Sequence, residues 1–171
     1  MKIRDLYQED KPVLSLEIFP PKIDYPLETI FATLDKLTQL EPSFISVTYG
    51  AGGSNRARTV EIAARIRDQY GLEALAHLTC VGHSRVEVDS VLDNLMAAGI
   101  NNIMALRGDL PADDPGFDLA RQDYRYAVEL IRDVRAKGDF GIAAAAYPEG
   151  HPDCRRLSQD VLYLRQKVNA G

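Results

Sequence analysis

Apolar positions along the chain fall into two alternating patterns. Short runs rich in β-branched residues, Val13–Phe19, Phe44–Tyr49, Ala74–Cys80, Asn102–Leu106 and Phe140–Tyr147, predict strands. Several are apolar on consecutive residues, as parallel strands covered on both faces are. Between them the apolar spacing changes to three and four. Leu27, Ile30, Phe31, Leu34 and Leu37 follow Pro26, which suits a first helical position. Thr59 to Tyr70 repeats the pattern, and Gly71 stops it. Ser84 and Glu87 have capping-box spacing ahead of Val88, Val91, Leu92 and Leu95, with Gly99 as the stop. A fourth helix over about Arg121–Lys137 is expected to bury Ala127, Leu130, Ile131 and Val134. A fifth, ending at Gly171, is expected to bury Leu157, Val161, Leu164 and Val168.

Strand and helix alternate five times, which makes this an α/β chain with a parallel sheet. The sheet is either doubly wound and open or part of a (β/α)8 barrel. No linker or composition shift marks a boundary, so residues 1–171 read as a single domain. The Gly108–Leu119 loop is long for a βα connection, and such loops are often functional.

In both architectures ligands bind outside the carboxyl ends of the strands, and polar residues concentrate there. The first strand carries Glu17. The second ends in Thr48-Tyr49 and runs into Gly50-Ala-Gly-Gly-Ser-Asn55, and the third carries His77 and Thr79. The fourth ends in Arg107-Gly-Asp109 and the fifth in Tyr147-Pro-Glu-Gly-His151.

Each of these has two readings. Glu17 interrupts an apolar strand, where an unpaired carboxylate is costly to bury, so it serves a site or a salt bridge to a barrel lysine or arginine. The glycine turn could cradle phosphate through its N–H groups or be a flexible connection; it matches neither the P-loop nor the dinucleotide fingerprint. Arg107-Gly-Asp109 reads equally as an anion-binding arginine beside a glycine that admits a ligand, or as a loop ion pair. His77 has the alternative of a hydrogen-bonded core histidine. His151 lies in a loop between Gly150 and Pro152, and His83 is placed in a turn. No Gly-x-Ser-x-Gly elbow is present, which removes a serine hydrolase.

Charge and cysteine usage narrow the partners. The net charge is −5 with pI near 5.2, and the basic residues are scattered beside acids along helices, which argues against nucleic acid. No run approaches the roughly 20 apolar residues of a membrane span, and the start lacks an apolar signal-type stretch. Cys80 and Cys154 lie far apart without CxxC spacing. Neither a disulfide framework nor a metal site is expected, and a reducing cytoplasm is the plain reading.

Five phrases stand in a register of their own: Leu16-Glu-Ile-Phe-Pro-Pro-Lys22, Ser46-Val-Thr-Tyr-Gly-Ala-Gly-Gly53, Ala76-His-Leu-Thr-Cys80, Ala105-Leu-Arg-Gly-Asp-Leu-Pro111 and Ala145-Ala-Tyr-Pro-Glu-Gly-His-Pro152. In order and spacing the chain resembles the methylenetetrahydrofolate reductase family from Leu14 to Gly171. The resemblance implies a (β/α)8 barrel that binds FAD without a covalent link and takes hydride from NADH or NADPH. It implies reduction of 5,10-methylenetetrahydrofolate to 5-methyltetrahydrofolate, within one-carbon metabolism and methionine biosynthesis.

Carried over by motif, the resemblance implies that Thr48, Tyr49, Ala51 and His77 contact the flavin. Arg107, Gly108 and Asp109 would hold it, with Tyr126 on the following helix. Tyr147 and His151 would close the fifth side, and Asp160 and Lys167 would lie along the FAD tail. Glu17 matches the general acid that protonates a folate nitrogen so that the imidazolidine ring opens to the 5-iminium ion. Near neutral pH that requires a carboxyl group whose proton is held by burial, as an apolar strand would provide. Asp109 matches a second catalytic acid, whose charge would stabilise that cation and tune the flavin.

The family barrel has eight strands, whereas the pattern here supplies about five βα units, so an incomplete barrel with open sheet edges and an exposed apolar face is expected. A homo-oligomer, or a partner chain that completes the barrel, would cover them. Tyr163 and Gln166 stand on the last helix where Asn and Arg are familiar in bacterial members. One alternative is a truncated, non-catalytic flavin- or folate-binding fragment. Another is an unrelated barrel such as an aldolase, which would want a Schiff-base lysine or metal ligands at strand ends.

Overall fold

A computed structural model of the chain describes residues 1–7, 10–50, 56–111 and 114–171. Its elements in order are β1 (Ser15–Ile18), α1 (Glu28–Leu37), β2 (Phe44–Val47), α2 (Arg56–Tyr70), β3 (Glu73–Thr79), α3 (Arg85–Ala97), β4 (Asn102–Leu106), α4 (Ala127–Lys137), β5 (Gly141–Ala144) and α5 (Leu157–Ala170). The strands stand side by side in chain order, and every neighbouring pair is parallel. A doubly wound sheet reverses strand order at a switch point. This one does not, so it is the wall of a (β/α)8-type barrel carried through five units.

Strand alternation divides the apolar residues between two faces. On the outer face Ile45, Val47, Ala76, Leu78 and Ile103 pack under Leu34, Ile62, Ile66, Leu92 and Leu130, each at most 1% exposed. On the inner face Phe44, Leu75, Met104 and Ala143 pack with Ile3 and Leu6. The short turn Ile3–Leu6 thus floors the interior at the amino ends of the strands. Buried Asn102 anchors it: Oδ1 accepts the Ile3 N–H at 2.9 Å, while Nδ2 donates to the Met1 carbonyl at 3.1 Å and to Glu73 at 3.0 Å. Lys2 pairs with Asp139 beside it.

The expected elements are present, with corrections at their ends. The Ser84–Glu87 capping box forms at the start of α3. Pro26 lies two residues ahead of α1, because Leu27 occupies the cap. β5 ends at Ala144, so Tyr147 follows the strand. The fourth helix starts at Ala127, since Leu119–Arg121 makes a separate 3-10 turn. The Glu129 carboxylate accepts the Tyr126 N–H at 2.9 Å, which makes Tyr126 the cap residue rather than part of the helix.

The fifth helix departs most. Leu157, Val161, Leu164 and Val168 are not buried; they are between 37% and 70% exposed. α5 packs against α4 on one side, and no described element covers the other.

Candidate active site

The carboxyl ends of the strands open on one cavity of about 1090 Å³. Of the residues expected at a site, Thr48, Tyr49, His77, Arg107, Gly108, Asp109, Tyr126, Tyr147, His151, Asp160 and Lys167 all line it. Ala51 lies outside the described residues, as do residues 52–55 of the glycine turn.

Glu17 is the exception, since it is not part of the lining. Its Oε2 lies 3.4 Å from His77 Nε2 and accepts a hydrogen bond from Ser46 Oγ at 3.3 Å. No lysine or arginine among the described residues pairs with it. Its side chain is 49% exposed, so the apolar enclosure expected around it is not there. The cause is position: among the described strands β1 is at the edge, with β2 as its one partner.

Three of the residues that line the cavity, Tyr49, His77 and Thr79, carry a buried polar atom (Oη, Nε2 and Oγ1) without a hydrogen-bond partner among the described residues. Buried polar groups are normally bonded, so such a cluster calls for a polar occupant. Burial pushes the Tyr49 phenol up to about 12, against the pull of Arg56, and keeps it a neutral donor. Burial lowers the His77 imidazole, with Glu17 opposing, so the ring is neutral near pH 7. His77 is therefore not the hydrogen-bonded core histidine that its strand position also allowed.

His83 is in a turn, its N–H donating to the Cys80 carbonyl at 3.1 Å. Its side chain is nonetheless buried. Nδ1 is 2.9 Å from the Val81 carbonyl, and the ring stands 6.1 Å from that of Tyr49, centroid to centroid. Nothing in the spacing of the sequence signalled that pairing.

Gly108 is required where it stands. Its φ is +86°, and a Cβ there would lie 2.8 Å from Val81 Cγ1 and 3.0 Å from Thr79 Cβ. Arg107 Nε donates to the Gly108 carbonyl at 3.1 Å, and no ion pair with Asp109 forms, so the loop-ion-pair reading fails.

On the fifth side the Tyr147 ring meets His151 edge-on at 4.7 Å, and the His151 N–H donates to Asp160 at 2.7 Å. Lys167 donates to the Ala145 carbonyl at 2.8 Å; burial lowers its ammonium, and Asp160 opposes. Tyr163 and Gln166 also line the cavity, together with Phe19, Leu119, Arg155, Arg156 and Gln159, which sequence reasoning did not single out. The adjacent arginines before α5 were the available signal.

Both cysteines are free. The Cys80 thiol is pushed up to about 12 by burial, which leaves no thiolate for nucleophilic chemistry. Among the described residues no three His, Cys, Asp or Glu side chains converge as metal ligands, and no helix is long and apolar enough to cross a membrane.

The sequence profile of the family described as methylenetetrahydrofolate reductase matches residues 2–171. The chain is 40% identical over 158 residues to 5,10-methylenetetrahydrofolate reductase of Pectobacterium carotovorum subsp. carotovorum, covering 92% of this chain and 51% of that one. The same figures hold for the enzyme of that name from Escherichia coli strain K12. Identity is 38% over 181 aligned positions to the probable methylenetetrahydrofolate reductase (NADH) of Oryza sativa subsp. japonica, covering 99% of this chain and 30% of that one. The chain thus spans about half the length of the bacterial relatives and less than a third of the rice one. With a match over nearly its whole length, the chain belongs to the methylenetetrahydrofolate reductase family.

Proposed function

We propose that residues 1–171 are one domain, the N-terminal portion of a flavin-binding (β/α)8 barrel that reduces 5,10-methylenetetrahydrofolate with NADH or NADPH. The observation that carries this reading is the convergence of Thr48, Tyr49, His77, Thr79, Gly108 and Asp109, from the ends of three neighbouring strands, on one cavity, with Tyr49 Oη, His77 Nε2 and Thr79 Oγ1 buried and unbonded in its wall. A flat ring system edged with N–H and C=O groups suits them. The cavity, about 1090 Å³, has room for a cofactor as large as FAD.

Thr48, Tyr49, Ala51, His77, Arg107, Gly108 and Asp109 would hold the ring end, and Tyr126, Tyr147, His151, Asp160 and Lys167 the remainder. When bound, FAD supplies the hydride relay from nicotinamide to folate. Glu17 delivers a proton to a folate nitrogen, with Ser46 and His77 orienting its carboxyl group. Asp109 places negative charge on the cavity wall where the substrate becomes cationic. The plant relatives are named as NADH enzymes, which supports NADH as the donor. Two free cysteines support a reducing, cytoplasmic setting. The exposed apolar residues of α5 support association with a second copy or a partner chain.

A second reading, a non-catalytic flavin- or folate-binding piece of the same fold, is favoured by one observation: Glu17 is half open to water. One experiment separates the two. The purified protein is loaded with FAD, bleached anaerobically with NADH or NADPH, and mixed with methylenetetrahydrofolate. Full reoxidation supports the reductase, bleaching without reoxidation supports a flavin-binding form of the second reading, and protein left colourless after loading sinks the reductase and leaves only a folate-binding piece.

A further inference from the structure

The connection from β1 to α1 contains Pro20, Pro21 and Pro26 and no regular structure, and its carbonyl oxygens converge on one side chain. Arg58, in the first turn of α2, donates from one terminal guanidinium nitrogen to the carbonyls of Pro21 at 3.1 Å, Lys22 at 2.8 Å and Tyr25 at 2.8 Å. The other terminal nitrogen donates to Ile23 at 2.7 Å. The first nitrogen has only two hydrogens, so one of its three bonds is shared. A planar fork of five N–H groups can gather carbonyls this way; a lysine ammonium, with three donors on one atom, cannot span them.

The same turn of α2 is fixed to the end of β2, where Thr59 Oγ1 donates to the Thr48 carbonyl at 3.0 Å. The clasped loop begins immediately after β1. Phe19, its first residue, lines the cavity, and Glu17 is two positions earlier. Arg58 itself does not line the cavity.

The geometry points to Arg58 as a positioning residue: by clasping the β1–α1 loop to α2 it sets Phe19 against the cavity edge at Thr48 and fixes the end of the strand that carries Glu17. The inference rests on the reading that Glu17 serves the folate step. It separates the two half-reactions, because the flavin-lining residues of β3 and β4 are untouched by the clasp, whereas the β1 end is held by it.

The test compares FAD-loaded wild type with Arg58→Ala and Arg58→Lys. Trypsin under native conditions, read by mass spectrometry, reports cleavage after Lys22. Cleavage is expected to quicken about tenfold or more in both variants, since a released loop opens locally, and to slow again when guanidinium is added to Arg58→Ala. Stopped-flow is expected to show flavin reduction largely intact. Reoxidation by methylenetetrahydrofolate should slow on the order of tenfold to a hundredfold, the cost of a small misplacement. Unchanged cleavage after Lys22 overturns the clasp. Faster cleavage with both half-reactions equally affected, or neither, overturns the positioning role. A wild type that never passes hydride to folate sinks the proposed function and the positioning role together, while the cleavage result still decides the clasp. If Arg58→Ala does not fold, the lysine variant carries the same measurements.

Discussion

His77 Nε2 and Glu17 Oε2 stand 3.4 Å apart with no hydrogen bond between them. The separation is long for a hydrogen bond, though close enough for the carboxylate to attract a charged ring. Burial disfavours the charged imidazole and the carboxylate favours it, with burial the stronger. A small shift of the edge strand β1 would close the bond.

That balance gives His77 a pH signature. Its folded value lies below the ordinary 6.5, so the unfolded chain takes up the proton first as pH falls. Stability should therefore be undiminished above 6.5 and decline below it, until the folded value is reached. Urea midpoints at several pH values should show this decline flatten in His77→Gln. An equal slope in the variant would assign the loss to other groups.

Glu17→Gln keeps the shape and removes the proton. Flavin reduction by NAD(P)H should stay largely intact, while reoxidation by methylenetetrahydrofolate falls by about 10²–10⁴, the span of general acid catalysis. Loss of both half-reactions together in stopped-flow traces would argue against the acid role.

Gly108→Ala forces a methyl group against Val81 and Thr79 at a positive φ. A destabilisation of about 1–3 kcal/mol is expected from strain and overpacking. Flavin affinity, followed by fluorescence quenching, should weaken as well. A variant with wild-type melting and binding would show that the loop after β4 yields freely.

Asn102→Leu removes three hydrogen bonds from a side chain that is 1% exposed, and strands the Ile3 N–H. The expected cost is about 1–3 kcal/mol in chemical denaturation, the penalty of an orphaned buried donor. Flavin affinity should hold, because Asn102 lies at the opposite end of β4 from Arg107. Weakened binding at full stability would mean that the two ends are coupled.

Much of the fold was legible because its signals are local. Ser84 and Glu87 announce α3, and the run Phe44-Ile-Ser-Val47, apolar but for one small serine, announces a strand covered on both sides. α5 was misread for a physical reason: the spacing of Leu157, Val161, Leu164 and Val168 marks an apolar face but does not say what covers it. At the cavity, alternation of strand and helix placed His77, Asp109 and Tyr147 on one rim from the sequence. The exposure of Glu17 depends on what flanks β1, which no local pattern records. The Tyr49–His83 contact and the Arg58 clasp were invisible because rings and loop carbonyls pair across distant stretches without a spacing rule.

Each strand pairs only with its neighbours in sequence, so the sheet can be laid down one unit at a time as the ribosome delivers it. The Ile3–Leu6 turn breaks that order. Its anchor is the first residue of β4, so a segment that precedes β1 is not fully seated until the chain has been made through to the fourth strand. Sealing the floor is thereby a late step of assembly, and pulse-labelled amide exchange should find the Ile3 N–H protected after those of β2 and β3.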